Sequence, residues 1–307
     1  MEKKYYGVIP PIITPVDEHE NVDEEGYRKL LDYCIKGGLH GIFVAGSNGE
    51  TMALTQKERD HAIKITLEQT KGKVPVMAGV MDTSTRRVIE NIKRLEQMGG
   101  TCAVITSIFY DRHTSQDETV RHFEKISKET NIDLMIYNIP MFTGLKLTPE
   151  TIFKISEFDH VVGLKDSSGD FKNFMKCLTY FEGKDFAVLQ GTTAYAMPSM
   201  LLGADGFVPS IAPLFPELFV KAYEAGRDKK TDLAMRYDLL LRETSKILGM
   251  TKNATAANKF ALSLLGFTDK RVIYPQDTIL PEEEKAIAKK TKEIQAQYEA
   301  FKKNLQG

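Results

Sequence analysis

Eight short apolar segments, each followed by a longer stretch with helical periodicity, constrain the fold of this chain more than any other feature. The segments are nearly continuous in apolar residues, which is typical of parallel strands covered on both faces. Eight βα units predict an α/β fold, a (β/α)8 TIM barrel with a C-terminal helical appendage. The predicted strands are Gly7–Thr14, Gly41–Val44, Val74–Gly79, Thr101–Ile105, Asp133–Asn138, Val161–Lys165, Ala187–Gln190 and Gly206–Val208.

An open, doubly wound sheet is the alternative to a barrel. That fold usually carries a GxGxxG turn after its first strand, and the first predicted strand here has none. After Gly226 the pattern becomes almost entirely helical, with about three helices expected. We therefore predict a catalytic barrel over residues 1–226 and a helical C-terminal region over residues 227–307.

Two segments predict where helices begin. Thr55–Glu58 and Ser115–Glu118 each place a hydroxyl residue three positions before a glutamate, which is the pattern of a capping box. A helix is expected to start directly after each hydroxyl residue.

The composition excludes several classes of protein. The 41 Lys and Arg residues balance 42 Asp and Glu residues, so no basic excess indicates nucleic acid. No apolar run of about 18 residues predicts a membrane span, and the N-terminus lacks the apolar core of a secretory signal. A cytoplasmic location is therefore expected. Cys34, Cys102 and Cys177 are widely spaced, which predicts buried thiols rather than disulfides or a metal motif.

In barrels of this kind, chemistry collects where the strands end. The second predicted strand runs into Ala45-Gly46-Ser47-Asn48-Gly49-Glu50. Its glycines allow a tight loop whose backbone N–H groups can hold a carboxylate or a phosphate, although a simple polar turn has the same composition. Glu50 follows the loop glycine and is a candidate cap for a helix behind the loop.

Lys165 ends the sixth predicted strand, and Tyr137 lies near the end of the fifth. Taken singly, the lysine can extend its tip to water and the tyrosine can be a core residue. Together with the nearby hydroxyls they indicate carbonyl chemistry through a Schiff base. No His, Cys or carboxylate cluster has the spacing of metal ligands, so no metal and no cofactor are expected.

Three motifs follow one another along the chain: Gly46-Ser47-Asn48-Gly49-Glu50, Tyr137-Asn138-Ile139-Pro140 and Gly163-Leu164-Lys165. They match GxxGE, YNxP and GxK of the pyruvate-dependent class I aldolase family. That family includes dihydrodipicolinate synthase, N-acetylneuraminate lyase and 2-keto-3-deoxygluconate aldolase. The resemblance covers nearly the whole chain.

The resemblance implies roles for the residues that match the family's motifs. Lys165 would be the Schiff-base lysine and Tyr137 the proton shuttle. Ser47 would link Tyr137 to Tyr110, which in the family reaches in from a neighbouring subunit. Ser47 and Asn48 would hold the pyruvate carboxylate through backbone N–H groups. The pyruvate pocket would also be lined by Gly191 and Val208. A homo-oligomer follows from this, either a dimer or a tetramer.

Phe142 departs from one branch of the family. Dihydrodipicolinate synthases carry an arginine at this position, where it binds the carboxylate of the second substrate. A phenyl ring cannot do this. The prediction is therefore an aldolase acting on a 2-keto-3-deoxy sugar acid or related 4-hydroxy-2-oxo acid, with pyruvate and an aldehyde as partners.

Other functions remain open at this point. Dihydrodipicolinate synthase activity is one, and Schiff-base dehydration of a keto-deoxy sugar acid is another. A catalytically silent binding protein would not need a nucleophilic amine. A phosphate-binding barrel enzyme would be expected to have more glycine in the loops after strands seven and eight than Gly191-Thr192-Thr193 and Ser210-Ile211-Ala212 provide.

Overall fold

A computed structural model describes residues 3–306, in which eight parallel strands form one sheet. Neighbouring strands follow the order β1-β8-β7-β6-β5-β4-β3-β2. The strands are β1 (Gly7–Val8), β2 (Ile42–Val44), β3 (Val76–Gly79), β4 (Cys102–Ile105), β5 (Asp133–Asn138), β6 (Val161–Asp166), β7 (Ala187–Gln190) and β8 (Gly206–Phe207). The eight strands predicted from the sequence are therefore present, and all of them are parallel.

Helices separate the strands along the chain, and within the described residues four α-helices follow the last strand. Within residues 3–306 the α-helices are α1 (Glu24–Lys36), α2 (Gln56–Thr70), α3 (Thr85–Gln97), α4 (Gln116–Glu129), α5 (Pro140–Thr143), α6 (Pro149–Ile155), α7 (Phe171–Phe181), α8 (Ala196–Leu201), α9 (Pro216–Arg227), α10 (Thr231–Ser245), α11 (Ala254–Ser263) and α12 (Pro281–Gln306). No helix in this described part combines the length and apolar character needed to cross a bilayer.

The sheet is strongly curled. In a flat sheet β6 and β2 would lie about 19 Å apart, because four strand spacings separate them. Yet the Lys165 Nζ on β6 is 4.7 Å from the centre of the Phe43 ring on β2. Just after β1, Pro11 forms a parallel bridge with Phe43 of β2. This bridge links β1 and β2, the first and last strands of the order.

The first strand is shorter than the predicted Gly7–Thr14, because two prolines follow Val8. Pro10 and Pro11 have no N–H to donate, so a continuous ladder to β2 cannot form. Two backbone hydrogen bonds remain there: Ile12 N–H to the Phe43 carbonyl at 2.9 Å and Phe43 N–H to the Pro10 carbonyl at 3.0 Å. The segment is extended and paired, but only Gly7–Val8 forms regular strand.

Alternate residues of the strands face opposite sides of the sheet. Leu134 and Ile136 of β5 belong to the large apolar cluster that includes the helices. Met135 and Tyr137 belong to a smaller cluster that faces inward with Phe43. Side chains from several strands thus fill the inside of the curl, and Tyr137 lies among them. Cys34, Cys102 and Cys177 are free thiols and buried, as predicted.

The two predicted helix starts differ in detail. Ser115 and Glu118 form a complete capping box at the start of α4. Thr55 accepts the Glu58 N–H at 3.3 Å, but the Glu58 carboxylate accepts the Val22 N–H at 2.8 Å instead of returning to Thr55. The second box is therefore only half formed, because a distant backbone N–H takes the carboxylate.

Candidate active site

Lys165 lies near the end of β6 with its side chain inside the curl. It is 3% exposed, and its Nζ is 3.7 Å from the centre of the Tyr137 ring. Its tip therefore does not extend into solvent, and the interpretation of a surface-reaching lysine is wrong. Burial lowers the Lys165 pKa from 10.5 to about 7. Near neutral pH a large fraction of this amine is unprotonated and nucleophilic.

Tyr137 stands beside it on β5, 4% exposed. Burial raises the Tyr137 pKa to about 12, although hydrogen bonds with the Ser167 and Ser47 hydroxyls oppose this change. The phenol is therefore protonated at neutral pH and is linked to two other hydroxyls. Such a group can give a proton to a reacting oxygen and recover it through its neighbours.

The loop after β2, residues 46–50, approaches the same place from the other side. We call it the 46–50 loop. Ser47–Gly49 forms a 3-10 turn. The Asn48 amide donates to the Pro11 carbonyl at 2.7 Å, and the Thr14 hydroxyl donates to the Gly49 carbonyl at 2.9 Å. These contacts attach the loop to the segment after β1.

The Glu50 side chain caps no helix, contrary to the sequence expectation. It forms a buried ion pair with Lys259 of α11, and its other oxygen accepts the Ile273 N–H at 2.8 Å. Next to it, the Asn258 amide donates to the Asn48 side-chain oxygen at 3.0 Å. Sequence reasoning missed Asn258 and Lys259. The signal was present, since this adjacent polar pair interrupts a helix of small and apolar residues.

Asp166, the residue after the lysine, joins the ends of two strands. Its carboxylate accepts the Asn138 side-chain amide at 2.8 Å, the Ser168 N–H at 2.9 Å and the Ser168 hydroxyl at 2.7 Å. Burial raises the Asp166 pKa against these hydrogen bonds. The network fixes the end of β6 against β5, and therefore fixes where Lys165 and Tyr137 lie relative to each other.

Gly191 and Val208 follow the ends of the next two strands. The Gly191 N–H donates to the Asp166 carbonyl at 2.7 Å, and the Val208 N–H donates to the Gln190 carbonyl at 2.8 Å. A Cβ on Gly191 would lie 2.0 Å from the Ser167 Oγ, so only glycine fits at that position. Val208 is buried in the inner cluster with Tyr137.

A cavity of about 840 Å³ opens next to Ser47. Phe109, Ile139 and Phe142 line it on the side of the strands, and Lys252 and Thr255 line it on the side of α11. Phe142 is 57% exposed at this opening. Among residues 3–306, no group of three His, Cys, Asp or Glu side chains is placed to hold a metal ion.

Tyr110 does not join the other candidate residues within this chain. It lies in the loop after β4 and is 94% exposed. Its side chain therefore contacts very little of the rest of the chain. Of the residues singled out from sequence, Lys165, Tyr137, Ser47 and Val208 lie together, while Tyr110 faces outward.

A primary amine shielded from water, beside a neutral phenol, equips a protein to form Schiff bases with carbonyl compounds. The fold and site therefore define a class I aldolase. Comparison with known proteins identifies the family, because the model of the Dihydrodipicolinate synthetase family matches residues 4–297. The chain belongs to this family, whose pyruvate-dependent members are carbon–carbon lyases or synthases that use a Schiff-base lysine.

Individual relatives agree with this assignment. A 4-hydroxy-tetrahydrodipicolinate synthase of Methanopyrus kandleri is 34% identical over 238 residues, which cover 76% of this chain and 79% of the relative. The solved dihydrodipicolinate synthase of Bacteroides thetaiotaomicron is 30% identical, with a TM-score of 0.90 over 95% of this chain and all of its own. YagE, an E. coli K12 prophage protein of the dihydrodipicolinic acid synthase family solved with pyruvate, is 25% identical, with a TM-score of 0.90 over 95% of this chain and 99% of its own.

Proposed function

We propose that this chain is an aldolase for a 2-keto-3-deoxy sugar acid or a related 4-hydroxy-2-oxo acid, with pyruvate released in cleavage or consumed in synthesis. The observation that carries the proposal is the buried Lys165 amine, whose pKa is lowered to about 7, next to Tyr137. An amine in this state is what imine formation with a ketone requires at neutral pH.

The proposed reaction starts when the Lys165 Nζ adds to the C2 ketone of the keto acid. Tyr137 donates a proton to the resulting oxygen, and water leaves to give an iminium ion. The iminium withdraws electrons from C3. In synthesis C3 gives a proton to Tyr137, and the enamine attacks the aldehyde carbon while Tyr137 returns the proton to the aldehyde oxygen. In cleavage the C3–C4 bond breaks as the C4 hydroxyl gives its proton to Tyr137, and Tyr137 then protonates C3 of the enamine to give the pyruvate imine. In either direction water hydrolyses the final imine, which frees the lysine and returns a proton to Tyr137.

The 46–50 loop is proposed to hold the carboxylate of the keto acid through the backbone N–H groups of Ser47 and Asn48. The Ser47 hydroxyl hydrogen-bonds with Tyr137, which supports a position at the reacting end of the pocket. Gly191 and Val208 would line the keto acid on the opposite side. The solved complex of the relative YagE with pyruvate supports a keto acid as the ligand.

Phe142 favours an aldehyde without a carboxylate near the reacting carbon. It lines the cavity beside Ser47 and offers an apolar ring where an arginine would bind an anion. Dihydrodipicolinate synthase activity is the second candidate, favoured by the names of relatives such as the Methanopyrus kandleri protein. A dehydratase would share the imine and differ only in its product.

The architecture proposed for this enzyme is a closed (β/α)8 barrel over residues 1–226 and a helical region over residues 227–307. The bridge between Pro11 and Phe43 supports closure, because it links the two ends of the strand order. We also propose a homo-oligomer, a dimer or tetramer, in which Tyr110 of one subunit completes the site of its neighbour. The 94% exposure of Tyr110 supports this arrangement.

Borohydride trapping with pyruvate, followed by peptide mass mapping, tests the proposal. A reduced pyruvyl adduct on Lys165 is expected, and Lys165→Ala should abolish it while an exposed control, Lys172→Ala, should not. Absence of the adduct in the folded wild-type protein at saturating pyruvate would overturn the mechanism. Assays for pyruvate release, for dehydration and for condensation with aspartate semialdehyde then separate the three activities.

A further inference from the structure

We propose that α11 belongs to the keto acid site, because Lys259 and Asn258 are positioning residues for the 46–50 loop. They would hold the loop in the shape that presents its N–H groups to the carboxylate. The inference rests on the proposed function, since it takes this loop as the place where the carboxylate binds. It adds two residues from the C-terminal part of the chain to a site otherwise built from strand ends.

The contacts between α11 and the loop are made by two consecutive residues. The Lys259 ammonium pairs with the Glu50 carboxylate, and their side chains are 0% and 1% exposed. The Asn258 amide donates to both the Asn48 side-chain oxygen and the Ser210 carbonyl at 3.0 Å. Both ends of the turn Asn48-Gly49-Glu50 are thereby attached to one rigid helix.

The backbone of the loop is held in an unfavourable conformation. Glu50 at the end of the loop and Ala45 directly before it both have φ of 54°, in the left-handed region that residues with a Cβ rarely adopt. Such conformations persist only where the surrounding contacts impose them. At Glu50 the side chain is held by Lys259 and the Ile273 N–H, which account for both carboxylate oxygens. Its backbone N–H donates to the Ser47 carbonyl at 3.1 Å, and its carbonyl accepts the Ala53 N–H at 2.8 Å. Without the side-chain contacts, local backbone hydrogen bonds alone would have to hold this strained conformation.

A buried ion pair is a poor way to gain stability, because desolvation of the charges offsets most of their attraction. The ion pair instead fixes the position of the loop, because the Glu50 carboxylate is stable in the interior only where it meets the Lys259 ammonium. The opposite side of the loop is tied to the segment after β1 through Asn48 and Thr14. The loop therefore lies between two fixed supports, and α11 is the one contributed by the C-terminal region.

The test measures borohydride trapping at Lys165 as a function of pyruvate concentration in the full-length protein. The variants are Lys259→Met and Asn258→Ala, the second of which leaves the ion pair intact and is the milder change. We expect the half-saturating pyruvate concentration to rise by about tenfold in Lys259→Met and by about threefold or more in Asn258→Ala. The trapping rate at saturation should stay within about threefold of wild type, because Lys165 and Tyr137 are unchanged.

Two further variants separate positioning from general stability. Glu58 is a matched control, because it is also a buried glutamate that accepts a distant backbone N–H, that of Val22 at 2.8 Å. Glu58→Ala should lower the melting temperature without changing half-saturation by pyruvate. Glu50→Gln should lose less affinity than Glu50→Ala, since the amide keeps the size of the side chain and one acceptor oxygen for the Ile273 N–H.

Unchanged half-saturation in Lys259→Met and Asn258→Ala, with normal trapping in wild type, would overturn the inference and leave the proposed function intact. A comparable rise in Glu58→Ala would also overturn it, because the effect would then follow stability. No trapping in wild type at any pyruvate concentration would overturn the inference and the proposed function together.

Discussion

The low pKa of Lys165 gives the proposed reaction a defined pH dependence. Burial moves this pKa from 10.5 to about 7, so the unprotonated fraction is about a tenth at pH 6 and about nine-tenths at pH 8. The rate of trapping with subsaturating pyruvate should therefore rise as the pH increases, with a midpoint near 7. Measuring trapping rates from pH 5 to 9 checks this. A midpoint above 9 would show that Lys165 keeps an ordinary pKa.

Phe142 is expected to set the choice of aldehyde. Replacing it by arginine, Phe142→Arg, adds a bidentate partner for a carboxylate at the cavity wall. The KM for aspartate semialdehyde should fall by about tenfold, while the KM for uncharged hydroxyaldehydes should not fall. Steady-state kinetics with both aldehydes check the prediction, and Phe142→Leu is the uncharged control. Equal KM changes for both aldehydes would contradict a specificity role.

The position of some site residues could be predicted from the sequence, and that of others could not. Lys165 and Tyr137 were predictable, because a charged or polar residue at the end of an apolar strand stands out against its neighbours. The partners of Glu50 were not. Asn258 lies 210 residues from Asn48, and no local pattern specifies which distant side chain a buried carboxylate will meet. Only the fold brings α11 to the 46–50 loop.

Among the elements, strand positions were predicted well and strand lengths less well. β5 and β7 match their predicted bounds, since apolar runs define both of them. β1 is shorter than predicted, because the ladder depends on N–H donors that Pro10 and Pro11 lack. Helix starts depend on local backbone geometry and were placed correctly. The predicted return contact from the Glu58 side chain to Thr55 is absent, because the Glu58 carboxylate accepts the Val22 N–H instead.

The start of α4 should contribute measurably to stability. Ser115→Ala removes the side-chain acceptor of the complete capping box and should lower the free energy of unfolding by about 1 kcal/mol. Urea unfolding measures the change, and trapping at Lys165 should stay the same. Ser245→Ala on α10 is the control. Its hydroxyl only donates to the carbonyl four residues earlier and caps no helix start, so a loss as large as that of Ser115→Ala would argue against capping.

The turn after β7 should tolerate no side chain. In Gly191→Ala the new Cβ would lie 2.0 Å from the Ser167 Oγ and 2.7 Å from the Asp166 carbonyl oxygen, and the carbonyl cannot move without shifting β6. We expect a destabilisation of about 1–3 kcal/mol and a loss of trapping at Lys165. Gly249→Ala is the matched control, because nothing lies within 4 Å of its added Cβ. Normal trapping in Gly191→Ala would show that β6 can shift without harm.

For the whole molecule, the exposed Tyr110 predicts complementation between subunits. Lys165→Ala and Tyr110→Phe chains should each be impaired alone. If Tyr110 acts in the neighbour's site, a dimer of one Lys165→Ala chain and one Tyr110→Phe chain has one intact site. Refolding the two variants together in equal amounts makes half of the dimers mixed, so about a quarter of wild-type activity should return. Activity assays after co-refolding check this. No recovery in mixed dimers would place Tyr110 outside the neighbouring site.

The cavity is lined by two parts of the chain that lie far apart in sequence. One wall comes from Ser47 and the segments after the strands, including α5, and the other comes from residues 252–255 and 275–277. The eight parallel strands and the helices between them were predictable from periodicity. This shared wall was not, because it depends on how the C-terminal helices pack across the open end of the sheet.

The lowered pKa of Lys165 also has a consequence for protein chemistry at the bench. Most amine-reactive reagents need the unprotonated form, and an ordinary surface lysine at pH 7 supplies almost none of it. A small acylating or cyanating reagent that can reach this buried amine should therefore modify Lys165 before the surface lysines. Lys259, although its pKa is also lowered by burial, is shielded by its partner Glu50 and fully enclosed. Among the lysines of residues 3–306, Lys165 is thus the expected site for covalent labelling, which would attach a probe without introducing a cysteine.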